Sequence, residues 1–343
     1  MDEEKTPSEF YFACRNNEIE TVRRILDEQS VEDLDRMEPN GSTGLHAACF
    51  YKHDQIVQLL LERGFTRRTI NKYESTPFGE ATGVIRNLFQ RPKTSTRFGG
   101  NIPHEREKLI WMSMEDNQQQ ASRYVVSDTY DGDRLEYGLF HCQQILQTLG
   151  SNMPKVDVIR RLFRRATEEK DATRLVQAYT AETDFYNRIN NYLISQTVNT
   201  NDVISEFIDT IALNRQLHDK HHYEGLCYRS IRIKSHYELN IYKVGAKLIT
   251  RCFLSTTKDR QLAEEYVRTG QDDEAKHSVL IIFEIRQKRT ALDIEKLSEF
   301  PHEKEVLILN NKVFKVVRVT PKPNLDVEIE LRESKSRRVD KKK

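Results

Sequence analysis

Phe300-Pro301-His302-Glu303-Lys304-Glu305-Val306-Leu307-Ile308 places two carboxylates one residue apart at the entrance to three aliphatic residues. In extended or loop backbone, positions i and i+2 face the same side, so Glu303 and Glu305 can act on one cationic group. A carboxylate pair of this kind can stabilise an oxocarbenium-like centre, as in glycoside cleavage. Glu-x-Glu also occurs at 18/20, 105/107 and 328/330, where solvated loop charge is the plain reading. The pair at 303/305 differs in its setting. It runs directly into an apolar strand, with Phe314 and Val316 beyond, so the scaffold positions it.

Around this stretch the pattern is strand-like from about 225 to 331. Ile231 and Ile233 alternate, 279–285 (VLIIFEI) is continuously apolar, and Val313, Phe314, Val316, Val317 and Val319 form another run. Val327, Ile329 and Leu331 alternate. One helix interrupts, with Leu262, Ala263, Tyr266 and Val267 on its inner face. Upstream, helical faces are formed by Val158, Ile159, Leu162 and Phe163, by Tyr186, Ile189 and Leu193, and by Ile204, Phe207, Ile208 and Ile211. Asn201-Asp202 is the expected N-cap of the last. Helices followed by strands, without βαβ alternation, give an α+β class. Residues 111–140 carry no clear pattern, and Trp111, Tyr124 and Tyr130 are expected to pack between domains.

Two further segments carry polar groups at strand positions. Ser255 and Thr256, in Phe253-Leu254-Ser255-Thr256-Thr257, offer hydroxyls that could bond a sugar or orient a carboxylate, while Thr257 could simply cap the next helix. Tyr228-Arg229-Ser230 offers a guanidinium able to pair with a diphosphate in a forked geometry, or only an exposed arginine. Taken in order, Arg229, Ser255, Glu303 and Glu305 resemble the active-site pattern of the arginine-specific mono-ADP-ribosyltransferases. Tyr228, Gly245, Phe253, Thr256, Ala263 and the string Phe300-Pro301-x-Glu303-x-Glu305-Val306-Leu307-Ile308 match as well. So do 178–180, 185–187 and Asn190, in a segment similar to that family's N-terminal lobe. The resemblance covers roughly 160–320.

It implies a split β-sandwich with a helical N-terminal lobe. NAD would be the co-substrate, with no metal required. Tyr228, Arg229, Ser255, Thr256 and Glu305 would bind NAD, Arg229 holding phosphate and Ser255 holding the nicotinamide ribose region and Glu305. Glu305 would stabilise charge as the nicotinamide bond breaks. Glu303 would orient an acceptor guanidinium, and Phe300 would lie on the acceptor-facing loop or be a core aromatic. Three positions depart from the family pattern: Ser230 for Gly, Thr257 for Ser, and Leu309-Asn310 for a Pro pair. These leave two alternatives open, an inactive transferase-like domain on a binding scaffold, or an NAD glycohydrolase without acceptor transfer.

The N-terminal part carries a repeat. Thr43-Gly44-Leu45-His46-Ala47-Ala48 returns 33 residues later as Thr76-Pro77-Phe78-Gly79-Glu80-Ala81. Both resemble the signature of ankyrin repeats. Ala13-Cys14, Val22, Ile25 and Leu26 match Ala48-Cys49, Val57, Leu60 and Leu61 at an offset of 35, so an earlier repeat opens the chain. Gly64 reads as a helix C-cap and His46 as the repeat's turn-stabilising histidine. A truncated repeat ends near Phe89. So short a stack needs capping by the next domain. The expected organisation is repeats over 1–91, a linker over 92–105, a helical region over 106–222, a β-rich NAD-binding core over 223–331, and a basic tail over 332–343.

The 343 residues include 54 Lys plus Arg and 53 Asp plus Glu, a net charge of +1. This excludes a globally basic nucleic-acid binder. Five cysteines, at 14, 49, 142, 227 and 252, form no CxxC pair and read as reduced thiols. His218, His221 and His222 lack a clear further ligand for a metal site. No G-x-G-x-x-G or Walker motif is present, so NAD would not be held on a Rossmann fold. The reading is an intracellular protein, cytoplasmic or, from its basic tail, nuclear, with protein partners through the repeats and a protein arginine acceptor.

Overall fold

A computed structural model describes residues 6–91, 111–113, 134–150, 152–195, 203–233, 236–269, 277–323 and 325–334. The chain divides into two units, Met1–Arg91 with Pro154–Arg161, and Pro92–Met153 with Leu162–Lys343. The 92–105 linker, the Asn201-Asp202 cap, Tyr124, Tyr130 and the tail from 335 lie outside the described residues, as does the Trp111 side chain.

The first unit contains three helix pairs, Glu9–Arg15 with Ile19–Glu28, Gly44–Phe50 with Asp54–Glu62, and Pro77–Glu80 with Val84–Leu88, and a short helix, Val31–Leu34, between the first two. The last pair is shortest, as the truncated third repeat requires. Each pair opens on a hydroxyl cap. Ser8, Thr43 and Thr76 accept from the backbone N–H of Tyr11, His46 and Gly79 respectively. His46 completes a capping box, its Nδ1 accepting the Thr43 N–H at 3.3 Å. Its Nε2 therefore carries the hydrogen and donates to the Ser75 carbonyl at 3.0 Å, joining one repeat to the next. Burial holds the His46 pKa below the usual histidine range.

The core runs through the stack as Phe10, Cys14, Ile25, Leu45, Cys49, Val57 and Leu60, all buried. Gly64 ends the helix Asp54–Glu62 at φ +81°, with the Phe65 N–H bonded to the Leu60 carbonyl and the Gly64 N–H to that of Leu61. A Cβ there would stand 2.4 Å from Val158 Cγ2, and Arg161 donates to the Gly64 carbonyl. The position thus needs glycine for both its conformation and its neighbour.

In the second unit, helices Arg134–Leu149, Phe185–Ser195 and Val203–Ala212 precede all strands but the first, and Phe163, Phe185 and Phe207 meet edge-on or tilted within 5.9 Å. The strands are β1 Trp111–Ser113, β2 Gly225–Ile233, β3 Lys247–Thr250, β4 Leu254–Thr257, β5 His277–Ile285, β6 Ala291–Asp293, β7 Glu305–Ile308, β8 Val313–Pro321 and β9 Val327–Glu333. They are ordered β1-β3-β8-β9-β5-β2-β4-β7-β6. Pairing is antiparallel except between β5 and β9. β2 and β4 share one register pair, Tyr228 with Thr257, whereas β2 and β5 share nine. This narrow seam splits the strands into two groups. Leu248 and Phe314 of one group share a core with Val306 and Ile308 of the other, the compact α+β arrangement expected.

Three expectations need correction. Residues 111–113 are a strand, paired with 248–250; three residues are too few to show a period. Glu328 and Glu330 are not solvated loop charges. They lie on β9, Glu328 buried with Arg260 and Lys322, Glu330 paired with Arg318. The tail does not begin at 332, because β9 continues through Glu333. The Glu333 carboxylate is buried and accepts from the Arg286 and Gln287 N–H groups, the Gln287 amide and the Thr290 hydroxyl. No helix among the described residues is long and apolar enough to cross a membrane.

Candidate active site

The site is assembled on β2, β4 and β7. Tyr228 pairs with Thr257 and Thr257 with Glu305, so these three residues form a row across the sheet. Directly opposed residues share a face. Ser255, two residues from Thr257 on β4, belongs to that face as well.

Arg229 follows Tyr228 and is 3% exposed. Its guanidinium donates to the Ser255 carbonyl at 2.8 Å. A charge-assisted bond thus closes the seam where the backbone ladder provides one pair. The strand's alternation turns Thr256 the other way. Its hydroxyl donates to the Val306 carbonyl at 2.7 Å and touches the Cys227 thiol, so it ties β4 to β7 within the core. Thr257 accepts from the Asp259 N–H at 3.0 Å. The cap of the helix Arg260–Thr269 is Asp259 itself, whose carboxylate accepts the N–H groups of Gln261 and Leu262.

Glu303 closes the 3₁₀ turn Pro301–Glu303, and Lys304 then takes a left-handed conformation at φ +47° before Glu305 starts β7. The two carboxylates are therefore set by a turn rather than by an extended i, i+2 repeat. Both residues are 0% exposed. Lys304 points outward to Asp259 at 2.9 Å. Tyr266 donates to Glu303 Oε1 at 3.4 Å, and Ser298 donates to Glu305 Oε2 at 3.4 Å. The Ser298 hydroxyl also accepts the Phe300 N–H at 3.1 Å. Phe300 is 1% exposed and is a core aromatic, the second of its two readings.

Tyr266 and Ser298 are site residues that the sequence does not reveal. Spacing places Tyr266 on an inner helix face, yet its hydroxyl reaches Glu303. Ser298 stands two residues before Phe300, the spacing at which a serine hydroxyl bonds the backbone. The lobe residues do meet the sheet as a group. Tyr179 donates to Asn190 at 3.2 Å and its ring meets Phe253 at 5.3 Å, while Asn190 donates to the Phe253 carbonyl at 3.5 Å. Ser230, at a position where the sequence departs from glycine, is fully buried, and its hydroxyl has no hydrogen-bond partner among the described residues. His218 Nε2 bonds the Ala212 carbonyl and His222 Nδ1 that of His218. Among the described residues no cluster of three His, Cys, Asp or Glu side chains could hold a metal.

Residues 8–83 match the family model of ankyrin repeats in three copies. A sequence search of curated proteins gave no match. Among solved structures, Vis toxin, an ADP-ribosyltransferase from Vibrio splendidus, is similar at 18% identity and a TM-score of 0.38, over 67% of this chain and 90% of the toxin. The ADP-ribosyltransferase HopU1 of Pseudomonas syringae pv. tomato is 16% identical at a TM-score of 0.41, over 61% of this chain and 100% of that one. Exoenzyme S from Pseudomonas aeruginosa, in complex with human 14-3-3 protein beta and bound to Carba-NAD, is 13% identical at 0.39, over 58% and 89%. The sequence match is the stronger finding: residues 162–338 fit the model of NAD:arginine ADP-ribosyltransferase, half of the chain, and the protein belongs to that family, preceded by ankyrin repeats.

Proposed function

We propose that this ADP-ribosyltransferase moves ADP-ribose from NAD to arginine side chains of proteins, releasing nicotinamide, while the ankyrin repeats recruit targets or regulate access. The observation that carries it is the pair of fully buried carboxylates, Glu303 and Glu305, on either side of Lys304 and each bonded by its own hydroxyl donor. The donor set suits NAD: a guanidinium at Arg229 for diphosphate, a hydroxyl at Ser255, and a carboxylate at Glu305 for ribose.

Glu305 accepts a hydrogen bond from a ribose hydroxyl and stabilises the positive charge that grows on the sugar. The bond from the anomeric carbon to the nicotinamide nitrogen breaks, and its electron pair leaves with nicotinamide. Glu303 orients the acceptor guanidinium, a planar cation suited to a carboxylate. The guanidino nitrogen bonds the anomeric carbon, and the proton it sheds passes through Glu303 to solvent.

Incubation with labelled NAD and agmatine tests the reading. Glu305→Gln should abolish both transfer and NAD hydrolysis, and Glu303→Gln should lose transfer far more than hydrolysis. Equal behaviour of the two variants overturns the division of roles. Hydrolysis without transfer makes the protein a glycohydrolase, and absence of NAD binding by calorimetry makes it a scaffold.

A further inference from the structure

We infer that Tyr266 is a positioning residue that sets acceptor use by fixing the plane of the Glu303 carboxylate. The inference rests on Glu303 being the acceptor carboxylate, as proposed above.

The helix Arg260–Thr269 grips the 303–305 turn at two places. At its start the capping carboxylate of Asp259 receives Lys304 Nζ at 2.9 Å, and the Lys258 N–H bonds the Lys304 carbonyl at 3.0 Å. Seven residues on, Tyr266 donates its phenol to Glu303 Oε1. Seven residues are about two helical turns, so Asp259 and Tyr266 lie on one face of the helix, about 10 Å apart along its axis. The first grip fixes the backbone between the two glutamates. The second reaches past it to the Glu303 side chain. Ser298, which precedes the turn in the chain, bonds Glu305 instead. The two carboxylates thus take hydroxyl donors from different elements.

A carboxylate that must meet a guanidinium edge-on depends on its plane as well as its charge. A phenol donor at one oxygen fixes that plane. Tyr266→Phe keeps the ring and its packing and removes only the donor.

The test measures agmatine transfer and NAD hydrolysis in the full-length wild type, Tyr266→Phe, Glu303→Gln and the double variant. The expected result is an approximately tenfold fall in the ratio of transfer to hydrolysis for Tyr266→Phe, carried mainly by the KM for agmatine. In the Glu303→Gln background the same change should add nothing. An unchanged ratio, or equal additional loss in the Glu303→Gln background, overturns the inference. Wild-type hydrolysis without transfer removes the acceptor reading itself, and the role of Tyr266 with it. That outcome is distinguished because it is seen before any variant is made.

Discussion

The Arg229 guanidinium donates to the Ser255 carbonyl at 2.8 Å, bridging strands that share a single backbone register pair. A side chain here does what a longer ladder does elsewhere in the sheet, and it fixes the strand that carries Ser255. Arg229→Lys should therefore weaken structure and chemistry together. A lysine keeps the charge but lacks the planar fork. Losing a charge-assisted bond to a buried carbonyl costs about 1.5–3 kcal/mol. Thermal unfolding should show that loss, and NAD hydrolysis should fall at least about tenfold. A variant with full hydrolysis would show that the brace is dispensable.

Ser298→Ala removes the donor to Glu305 and the acceptor for the Phe300 N–H. In the proposed mechanism Glu305 serves both outcomes of NAD cleavage, so transfer and hydrolysis should fall in parallel, by about tenfold. The ratio of the two should not move, in contrast to Tyr266→Phe. Product ratios from one labelled-NAD assay check this directly.

Ser230→Ala should be neutral or stabilising by about 1 kcal/mol. An unsatisfied buried hydroxyl costs about 1–3 kcal/mol, and alanine removes it at nearly constant volume. Denaturant midpoints of the two proteins provide the comparison, and a destabilised Ser230→Ala would refute the account.

The repeats should lose stability on acidification. Burial lowers the folded pKa of His46 below the unfolded value of about 6.5. Above pH 6.5 both states are neutral and nothing changes. Below it the unfolded chain takes a proton that the folded repeat resists, so stability falls until the pH passes the folded pKa. Protonation also removes the Nδ1 acceptor for the Thr43 N–H. His218, in the other unit, is lowered by burial in the same way. The informative quantity is therefore the difference between wild type and His46→Gln in melts from pH 7.5 to 5.5. The loss should be smaller in the variant.

Much of the fold is legible in the sequence, for identifiable reasons. The repeats announce themselves by period, because each must present the same cap and the same core positions, as Cys14 and Cys49 do. The string 300–308 is legible because a carboxylate pair at a buried strand needs charged and aliphatic residues side by side. Tyr266 and Ser298 are not legible as site residues, since Tyr266 reaches Glu303 from 37 residues away and that juxtaposition is made by the fold. Thr256 looks like its neighbour Ser255, but alternation sends the two to opposite faces. Glu328, in Glu-x-Glu like Glu303 and Glu305, is separated from a surface charge only by its burial against Arg260.

The five thiols are all free and buried, two in the repeats and three in the transferase unit. Burial pushes Cys142 and Cys227 up to about 12 and raises Cys14 and Cys49 well above the ordinary thiol range. At pH 7 a thiol with a pKa near 12 is ionised in about one molecule in 10⁵, and the thiolate is the reactive form. These four cysteines are consequently silent toward alkylating reagents until their own surroundings open. Labelling rates at Cys14 and Cys49 time the breathing of the repeats, and those at Cys142 and Cys227 time that of the transferase unit. One untouched polypeptide thus carries separate clocks for its two halves.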